Sequence, residues 1–515
     1  MPQESHPSHD NPGPTMVATG LATEIGETEA SDALKSRAAR GSVWTLVGFG
    51  CGQGFRLLNN LILWRLLYPE AFGIMSLVYV CLTGLTMFSD IGIGPSIVQS
   101  ERGDDPSYLN TAWTIQVIRE FLLCLGAFIL AGPMAVFYKE PQLSTLLPAA
   151  AVTSFISGFN STRLFTVSRR LALGRLTVID LSSQVLGLGI MIGWAWHFRS
   201  IWAVIVGSLA SNVLRLILSH TFLPGEPNRF HWDPTSARTM LRFGRWIFFS
   251  TLLTFIVMQS DRLIFGKLIP MAMLGVYNIG ATWAGLPSSI ASRVFSAVLF
   301  PLLSQLRQRG LDFSAAFLEA RRPWLLLGGW ASAGLIGGGP ILIRLLYTPP
   351  AAGAGWIIQV LAIGIWFFLL ESANSIAFLA LGESKWVAAG NAAKLVGMVV
   401  LIPLGYAHFG FPGAVVGFSG SELFRYAISV LGVRRHKIAC LGEDLRLTSL
   451  VLASASVGLL VARWMGPFLR SIAIRPARLG VFLEGFLIAV VVSVGWIWVY
   501  LLEISRKQKI QKSSL

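Results

Sequence analysis

The chain has 515 residues, 54% of them hydrophobic and only 13% charged, against roughly 25% charged in soluble domains. The charges gather in short clusters between long apolar runs, which excludes a soluble multidomain protein and points to the bilayer as solvent. The net charge of +15 comes largely from arginines in short loops. No compact basic region with interleaved aromatics exists, so nucleic acid is not an expected partner.

Residues 1–33 are polar and rich in Pro, Ser, Thr and Glu, without the apolar core of a signal peptide, and read as a disordered tail. Residues 34–41, LKSRAARG, are expected to begin a short basic helix at the membrane surface. Mostly apolar runs then recur at 42–64, 70–92, 111–137, 146–163, 177–197, 200–221 and 244–266. They continue at 274–304, 323–346, 355–380, 385–408, 412–433, 447–465 and 479–502. Each has about the length that crosses the hydrocarbon layer. They are continuously apolar rather than alternating, so helices are predicted, not a barrel. The expected fold class is all-α, a polytopic membrane protein of about fourteen spans. Most loop Lys and Arg fall on one side if both termini are cytoplasmic. The loop 463–478 breaks that pattern with Arg463, Arg470, Arg475 and Arg478.

Cys51, Cys81 and Cys124 lie in apolar runs and Cys440 in a basic loop, with neither metal-ligand nor disulfide spacing. No cofactor is expected. His197, His220, His231, His408 and His436 are scattered near span ends and read as interfacial or loop residues. There is no phosphate-binding G-x-x-x-x-G-K-[ST] loop, so any driving force is an ion gradient or the substrate gradient.

A weak internal repeat relates the first and seventh spans. Asn60 and Asp261 each precede a proline, Pro69 and Pro270, by nine residues; with one insertion, Phe72-Gly73-Ile74 then matches Leu274-Gly275-Val276. Six spans separate the copies, so both run in one direction. This predicts two parallel six-helix lobes, 42–222 and 244–434, joined by a cytoplasmic linker at 223–243. A helix pair at 447–502 and a basic tail at 503–515 would follow. Such lobes can rock about a central cavity. Pro287, Pro301, Pro340 and Pro403 are candidate kinks.

Seven basic residues fall inside predicted spans: Arg56, Arg119, Arg215, Arg262, Arg293, Lys394 and Arg425. A central charge costs roughly 2.5–3.5 kcal/mol on the lenient insertion scale, so these should face a partner or a wet cavity. Arg119, Arg215 and Arg262 lie near span ends, where snorkelling is an alternative. Arg119 and Arg262 adjoin Glu120 and Asp261, but neighbouring residues on a helix point apart and are not expected to pair. Arg425 lies three residues from Glu422, a suitable spacing for an ion pair. Arg56, Arg293 and Lys394 lack an acid at helical spacing and are the leading candidates to line a cavity. Among the intramembrane acids, Asp261 and Glu371 are candidate sites for a coupling H⁺ or Na⁺; charge-partner roles are the alternative. A cavity with surplus positive charge suits an anion. Arginine's planar fork suits phosphate, and a lipid-linked diphosphate fits a cationic chamber open to lipid.

Four segments carry a family resemblance: LTMFSDIGIGPSIVQ at 85–99, LNTAWTIQ at 109–116, FTVSRRLALGRLTVIDLSSQVLG at 165–187 and QSDRLIFGKLIPMAMLGVYNIG at 259–280. In order and spacing the chain resembles the polysaccharide transporters, lipid-linked oligosaccharide flippases of the multidrug/oligosaccharidyl-lipid/polysaccharide exporter superfamily. The resemblance covers residues 40 to 440. It implies fourteen helices in two six-helix lobes plus a C-terminal pair. It further implies transfer of undecaprenyl-diphosphate-linked oligosaccharide across the bacterial inner membrane, without enzymatic chemistry, for O-antigen, capsule or exopolysaccharide. The partners would then be that lipid, membrane lipids and a glycan polymerase. Two other readings stand beside it. A drug or cation exporter of the superfamily would want acids dominating the cavity. A membrane glycan polymerase or ligase would want a catalytic group, commonly on a large loop, and none is visible.

Overall fold

The computed structural model describes residues 43–89, 92–170, 172–309, 312–472 and 480–497. The tail, the basic segment 34–41, the C-terminal tail and Arg475 and Arg478 of the aberrant loop lie outside them. Helices are the regular structure throughout the described residues, with no strand. In chain order they are α1 (43–66), α2 (Pro69–Phe88), α3 (Ile93–Gln99), α4 (Pro106–Tyr138), α5 (Leu143–Gly158), α6 (Arg163–Arg169), α7 (Leu173–Phe198) and α8 (Trp202–Thr221). Then follow α9 (Pro234–Leu268), α10 (Met271–Ala284), α11 (Leu286–Val294), α12 (Phe300–Gln308), α13 (Phe313–Leu346), α14 (Ala354–Leu381), α15 (Lys385–Arg435) and α16 (Leu441–Ile472). The last described helix is α17 (Gly480–Ile497).

Among the described residues, ten helical stretches are long and apolar enough to cross a membrane, or eleven if the bent pair α5–α6 is one span. Neither α1 nor α9 is among the ten. Both carry the polar side chains that matter below, and apolarity and function pull against each other there. The 51-residue α15 is broken at Gly410, with φ 63° and ψ −147°, a combination open in practice only to glycine. Its halves fold back on each other: a Cβ at Gly405 would sit 2.2 Å from the Gly413 carbonyl oxygen, and one at Gly417 2.3 Å from that of Leu401. The two runs expected at 385–408 and 412–433 are therefore a tight hairpin.

Several helices start earlier than their apolar runs, because caps sit in water beyond the hydrocarbon. Asp233 caps α9, accepting from Thr235 and Ser236 N–H, with Pro234 at the first helical position. Much of the expected linker 223–243 is thus helix. Its remainder is tied down: Asn228 accepts from Ser161 Oγ at 2.6 Å, His231 N–H reaches Thr114 Oγ1 at 3.0 Å and Asp233 N–H reaches Thr111 Oγ1 at 3.0 Å. Asp105 and Asp312 cap α4 and α13 in the same way. Since α13 begins at Phe313, Arg321 is no loop residue but fully buried, 2.5 Å from Asp444 and 3.3 Å from Glu443. Helix α16 likewise runs on to Ile472, so Arg463 and Arg470 are helical rather than in a loop. The expected span 146–163 ends at Gly158 and turns by 60° into α6. The expected span 274–304 is three pieces, α10, α11 and α12. A π-turn at Phe295–Leu299 lies just before Pro301, and Pro287 sits in the first turn of α11. Pro340 and Pro403 lie inside α13 and α15.

Helices α4–α8 pack chiefly among themselves, as α7 on α8 and α4 on α5. The later helices do likewise, as α13, α14 and α15 in series with α16 on α13. The main junction between the two helix sets, α1–α8 and the later helices, is α2 against α9 and α10, with α4 against α9. The largest apolar cluster crosses it, carrying Leu63, Ile74 and Leu77 from one side and Phe265, Leu274 and Tyr277 from the other.

Candidate functional site: a cationic chamber at the junction

One face of α1 carries Gln53, Arg56, Asn59 and Asn60, spaced about a helical turn apart. It looks across a cavity of about 370 Å³ at Tyr79 on α2, Gln259 and Arg262 on α9, and Asn278 on α10. Two further cavities share its walls. One of about 460 Å³ lies against α7 and α8 and shares Arg56 and Asn59; one of about 330 Å³ lies against α5 and α8 and shares Tyr79 and Thr83. These two in turn share Ser208 and Asn212. The charged residues lining the three are Arg56 and Arg262, and no Asp or Glu does so among the described residues.

The two arginines are held differently. Arg262 Nε donates to Asn278 Oδ1 at 3.1 Å and Nη1 to Gln259 Oε1 at 3.4 Å, with Asp261 Oδ1 at 3.6 Å. Asp261 itself is buried and accepts from Tyr277 Oη at 2.7 Å. Arg56 has no hydrogen bond or ion pair with any described residue. A guanidinium in a span without a protein partner demands water or an anion. Next to it, Gln53 Nε2 donates to Ser289 Oγ on α11 at 3.0 Å, bridging the two helix sets.

Beside Phe72, which lines the chamber, the two copies of the sequence repeat meet. A Cβ at Gly73 would lie 2.1 Å from the Met271 carbonyl oxygen, and one at Gly275 2.3 Å from that of Pro69. The contact is reciprocal, each glycine seating the start of the partner helix. Around it Tyr347 Oη donates to Asn60 Oδ1 at 3.1 Å, Arg65 Nη2 to the Leu346 carbonyl at 2.9 Å, and Tyr138 Oη to that of Leu263 at 3.4 Å.

The other expected site residues divide plainly. Lys394 lines none of the three cavities: it is buried with Nζ 2.5 Å from Glu422. That takes Glu422 from Arg425, whose Nη2 lies 3.0 Å from Glu371. Ser375 Oγ also donates to Glu371. These four charges cancel between α14 and the two halves of α15. Arg215 meets Asp180 at 3.1 Å across α7 and α8. Arg119 Nε donates to Ser89 Oγ at 3.0 Å, and its Nη2 comes within 3.6 Å of Glu120. Like Arg262 with Asp261, it curls back toward its neighbour despite the divergent Cα–Cβ directions, because its stem is long enough. Arg293 is exposed one helical turn beyond Ser289 and lines none of the three cavities. Cys440 is not an open loop thiol: it is buried, and burial, with Asp444 adding, pushes its pKa up to about 11. The residues that charge-based reading missed are the neutral amides and hydroxyls of the chamber. Their sequence signal was the run of Gln53, Asn59 and Asn60 on one face of α1.

A family model described as polysaccharide biosynthesis protein matches residues 62–350. The lipopolysaccharide biosynthesis protein WzxC of Escherichia coli K12 is 20% identical over 53% of this chain and 56% of its own. The succinoglycan biosynthesis transport protein ExoT of Rhizobium meliloti is 22% identical over 56% and 60%. The putative O-antigen transporter of Shigella flexneri is 22% identical over 74% and 94%. The chain thus spans little more than half the length of the first two. Among solved structures, the lipid II flippase MurJ in an inward closed conformation superposes with a TM-score of 0.68 at 12% identity, covering 90% of this chain and 99% of that one. An inward-facing MATE-family multidrug transporter gives 0.58 at 13% identity, covering 77% and 96%. These last two likenesses establish a shared fold. With more than half of its residues matched by the family model, the chain belongs to the polysaccharide biosynthesis protein family.

Proposed function

We propose that this protein moves a diphosphate-linked oligosaccharide lipid across the bacterial inner membrane by alternating access, for polysaccharide assembly. The observation that carries the proposal is the chamber at the junction of the two helix sets, with Arg56 and Arg262 on its walls and no carboxylate among its described lining residues. The guanidinium of Arg56 is free to take one phosphate and that of Arg262 is oriented toward the other. Arg293, which lines none of the three cavities, is left without a role in this reading. The names of WzxC, ExoT and the putative O-antigen transporter support a polysaccharide substrate. A cation exporter is disfavoured, since its ligand would meet two arginines and no acid.

In this reading the chain is a transporter without enzymatic chemistry. It forms two six-helix lobes, residues 42–222 and 244–434, with the pair 447–502 beside them and both termini cytoplasmic. Counting α1, α9, the bent pair and both arms of the α15 hairpin gives the fourteen spans. Reset of the cycle is assigned to H⁺ or Na⁺ at Asp261, which adjoins Arg262 and has an oxygen, Oδ1, without a hydrogen-bond donor. Glu371 is already balanced by Arg425. A glycan polymerase would receive the product.

The test is flipping of a fluorescent polyprenyl-diphosphate oligosaccharide by the purified protein in proteoliposomes. A charge-assisted hydrogen bond contributes roughly 1.5–3 kcal/mol, so Arg56→Ala and Arg262→Ala should each slow flipping about tenfold or more. Transport of organic cations by the wild type, or undiminished flipping by the double variant, refutes the proposal.

A further inference from the structure

The chamber is chemically partitioned. Its charge sits on Arg56 and Arg262, while the two cavities reaching into α5, α7 and α8 are otherwise neutral. What lines them is amide and hydroxyl: Gln184, Ser211 and Asn212 in the larger, Thr83, Thr153 and Ser154 in the smaller, with Ser208 and Asn212 in the wall between. Tyr79 and Phe49 add aromatic faces.

Ser208 is hydrogen-bonded to Tyr79 and Thr153 to the Ala150 carbonyl, but three of the groups do not hold helices together. Gln184, Asn212 and Ser211 make no side-chain hydrogen bond with any described residue, and Asn59 Oδ1 is buried without a donor. By contrast, the buried amide of Gln116 donates to the Gly158 carbonyl at 2.7 Å. An amide in a membrane span that has no protein partner must be solvated by water or by a ligand. Each amide offers a donor and an acceptor side by side, which is what a pair of neighbouring sugar hydroxyls requires. The aromatic faces can lie against the apolar faces of sugar rings. Volumes of about 460 and 330 Å³ fall within the roughly 300–1,000 Å³ of small-ligand sites, enough for a few sugar rings rather than a long polymer.

We infer that Gln184, Ser208, Ser211 and Asn212 form a glycan subsite within α1–α8, selective for uncharged sugars next to the diphosphate. This rests on the reading of the chamber as a lipid-diphosphate site and names the part of the substrate that the neutral half recognises. A uronic acid in the same place would be desolvated with no cation beyond Arg56, which the diphosphate already occupies.

The experiment uses the full chain in proteoliposomes with three lipids: polyprenyl diphosphate alone, the same lipid with a neutral trisaccharide, and the same with a trisaccharide of uronic acids. Gln184→Ala/Asn212→Ala should slow the neutral glycolipid about tenfold, as expected from losing two or more hydrogen bonds of ordinary strength, and leave bare lipid diphosphate within twofold of wild type. Asn212→Asp, a near-isosteric change that tests the site without enlarging it, should leave the neutral glycolipid within about threefold and slow the uronic one further. Wild type should move the neutral glycolipid at least tenfold faster than the uronic one. Equal slowing of bare and glycosylated lipid, no slowing at all, or equal wild-type rates on the two glycolipids overturns the glycan subsite. Failure of the diphosphate reading looks different: Arg56→Ala would then leave all three lipids unaffected.

Discussion

The reciprocal contact of Gly73 and Gly275 is where alternating access can be tested most directly. A methyl on Gly275 would lie 2.3 Å from the Pro69 carbonyl oxygen and 3.2 Å from Phe72 Cβ; on Gly73 it would lie 2.1 Å from the Met271 carbonyl oxygen. The obstructing atoms are backbone, so no side chain can turn aside, and α2 and α10 must part by an ångström or more. Overpacking of this kind costs about 1–3 kcal/mol. That cost falls only on the conformation with this contact closed, because opening removes it. A shift of this size changes the balance between two states by about 5–150-fold. Ala71, 2% exposed beside the contact, replaced by Cys gives the readout: its labelling by a membrane-impermeant maleimide should quicken by that factor on adding Gly275→Ala. Gly193→Ala, where a Cβ meets nothing within 4 Å, is the control and should change nothing. Unaltered labelling in a folded Gly275→Ala protein would show that the glycine crossing is not the gate.

Other expectations follow from the charge pairs and caps. Lys394→Met should destabilise the protein by about 3–5 kcal/mol by stranding Glu422, read as thermal unfolding in detergent, while Lys394→Met/Glu422→Met recovers most of the loss and retains substrate affinity. Arg321→Met should cost a similar amount by the same stranding of Asp444 without altering flipping per folded molecule. Asp233, near the surface, is held well below the usual carboxylate range by hydrogen bonds from the Ser236 and Thr235 side chains. A depressed folded pKa contributes stability that is complete above the unfolded value, near 3.9, and is lost as pH falls through the folded one. Hydrogen exchange at the start of α9 should therefore be faster in Asp233→Asn than in wild type, by a margin constant from pH 7 to about 5 that narrows below about 4. Cys440, buried with its thiol pushed up to about 11, should resist thiol reagents at pH 7 until the protein unfolds.

Hydropathy made most spans legible because a bilayer imposes one length and one polarity on whatever crosses it. It placed their ends poorly, since capped helices such as α9 and α13 continue past the hydrocarbon into water. It also left Arg321 just outside the span expected at 323–346, because its partners Asp444 and Glu443 lie in a distant part of the chain. The pairing of Lys394 with Glu422 escaped for the same reason. The two are 28 residues apart and meet only because Gly410 folds α15 back on itself. Local spacing instead suggested Glu422 with Arg425. The glycine contact, by contrast, was latent in the repeat: Gly73 and Gly275 aligned there, and symmetry brings aligned residues together on the axis.

The protein meets one physical problem, charge inside a membrane, with two solutions. In the later helices Lys394, Arg425, Glu371 and Glu422 cancel one another, and Arg321 is answered by Asp444 and Glu443. Such closed groups fix how helices pack and leave no field for a ligand. At the junction the balance is left incomplete: Arg262 is steered by neutral amides as well as Asp261, and Arg56 by nothing among the described residues. Leaving a guanidinium unpaired is costly unless a mobile anion completes it. The same holds, more weakly, for the unpaired amides beyond it. In the proposed function the cargo supplies the missing partners of these groups at the chamber. Their order, cations at the junction and then neutral donors and acceptors within α1–α8, matches a phosphorylated lipid whose sugars point away from the seam at which the two helix sets part.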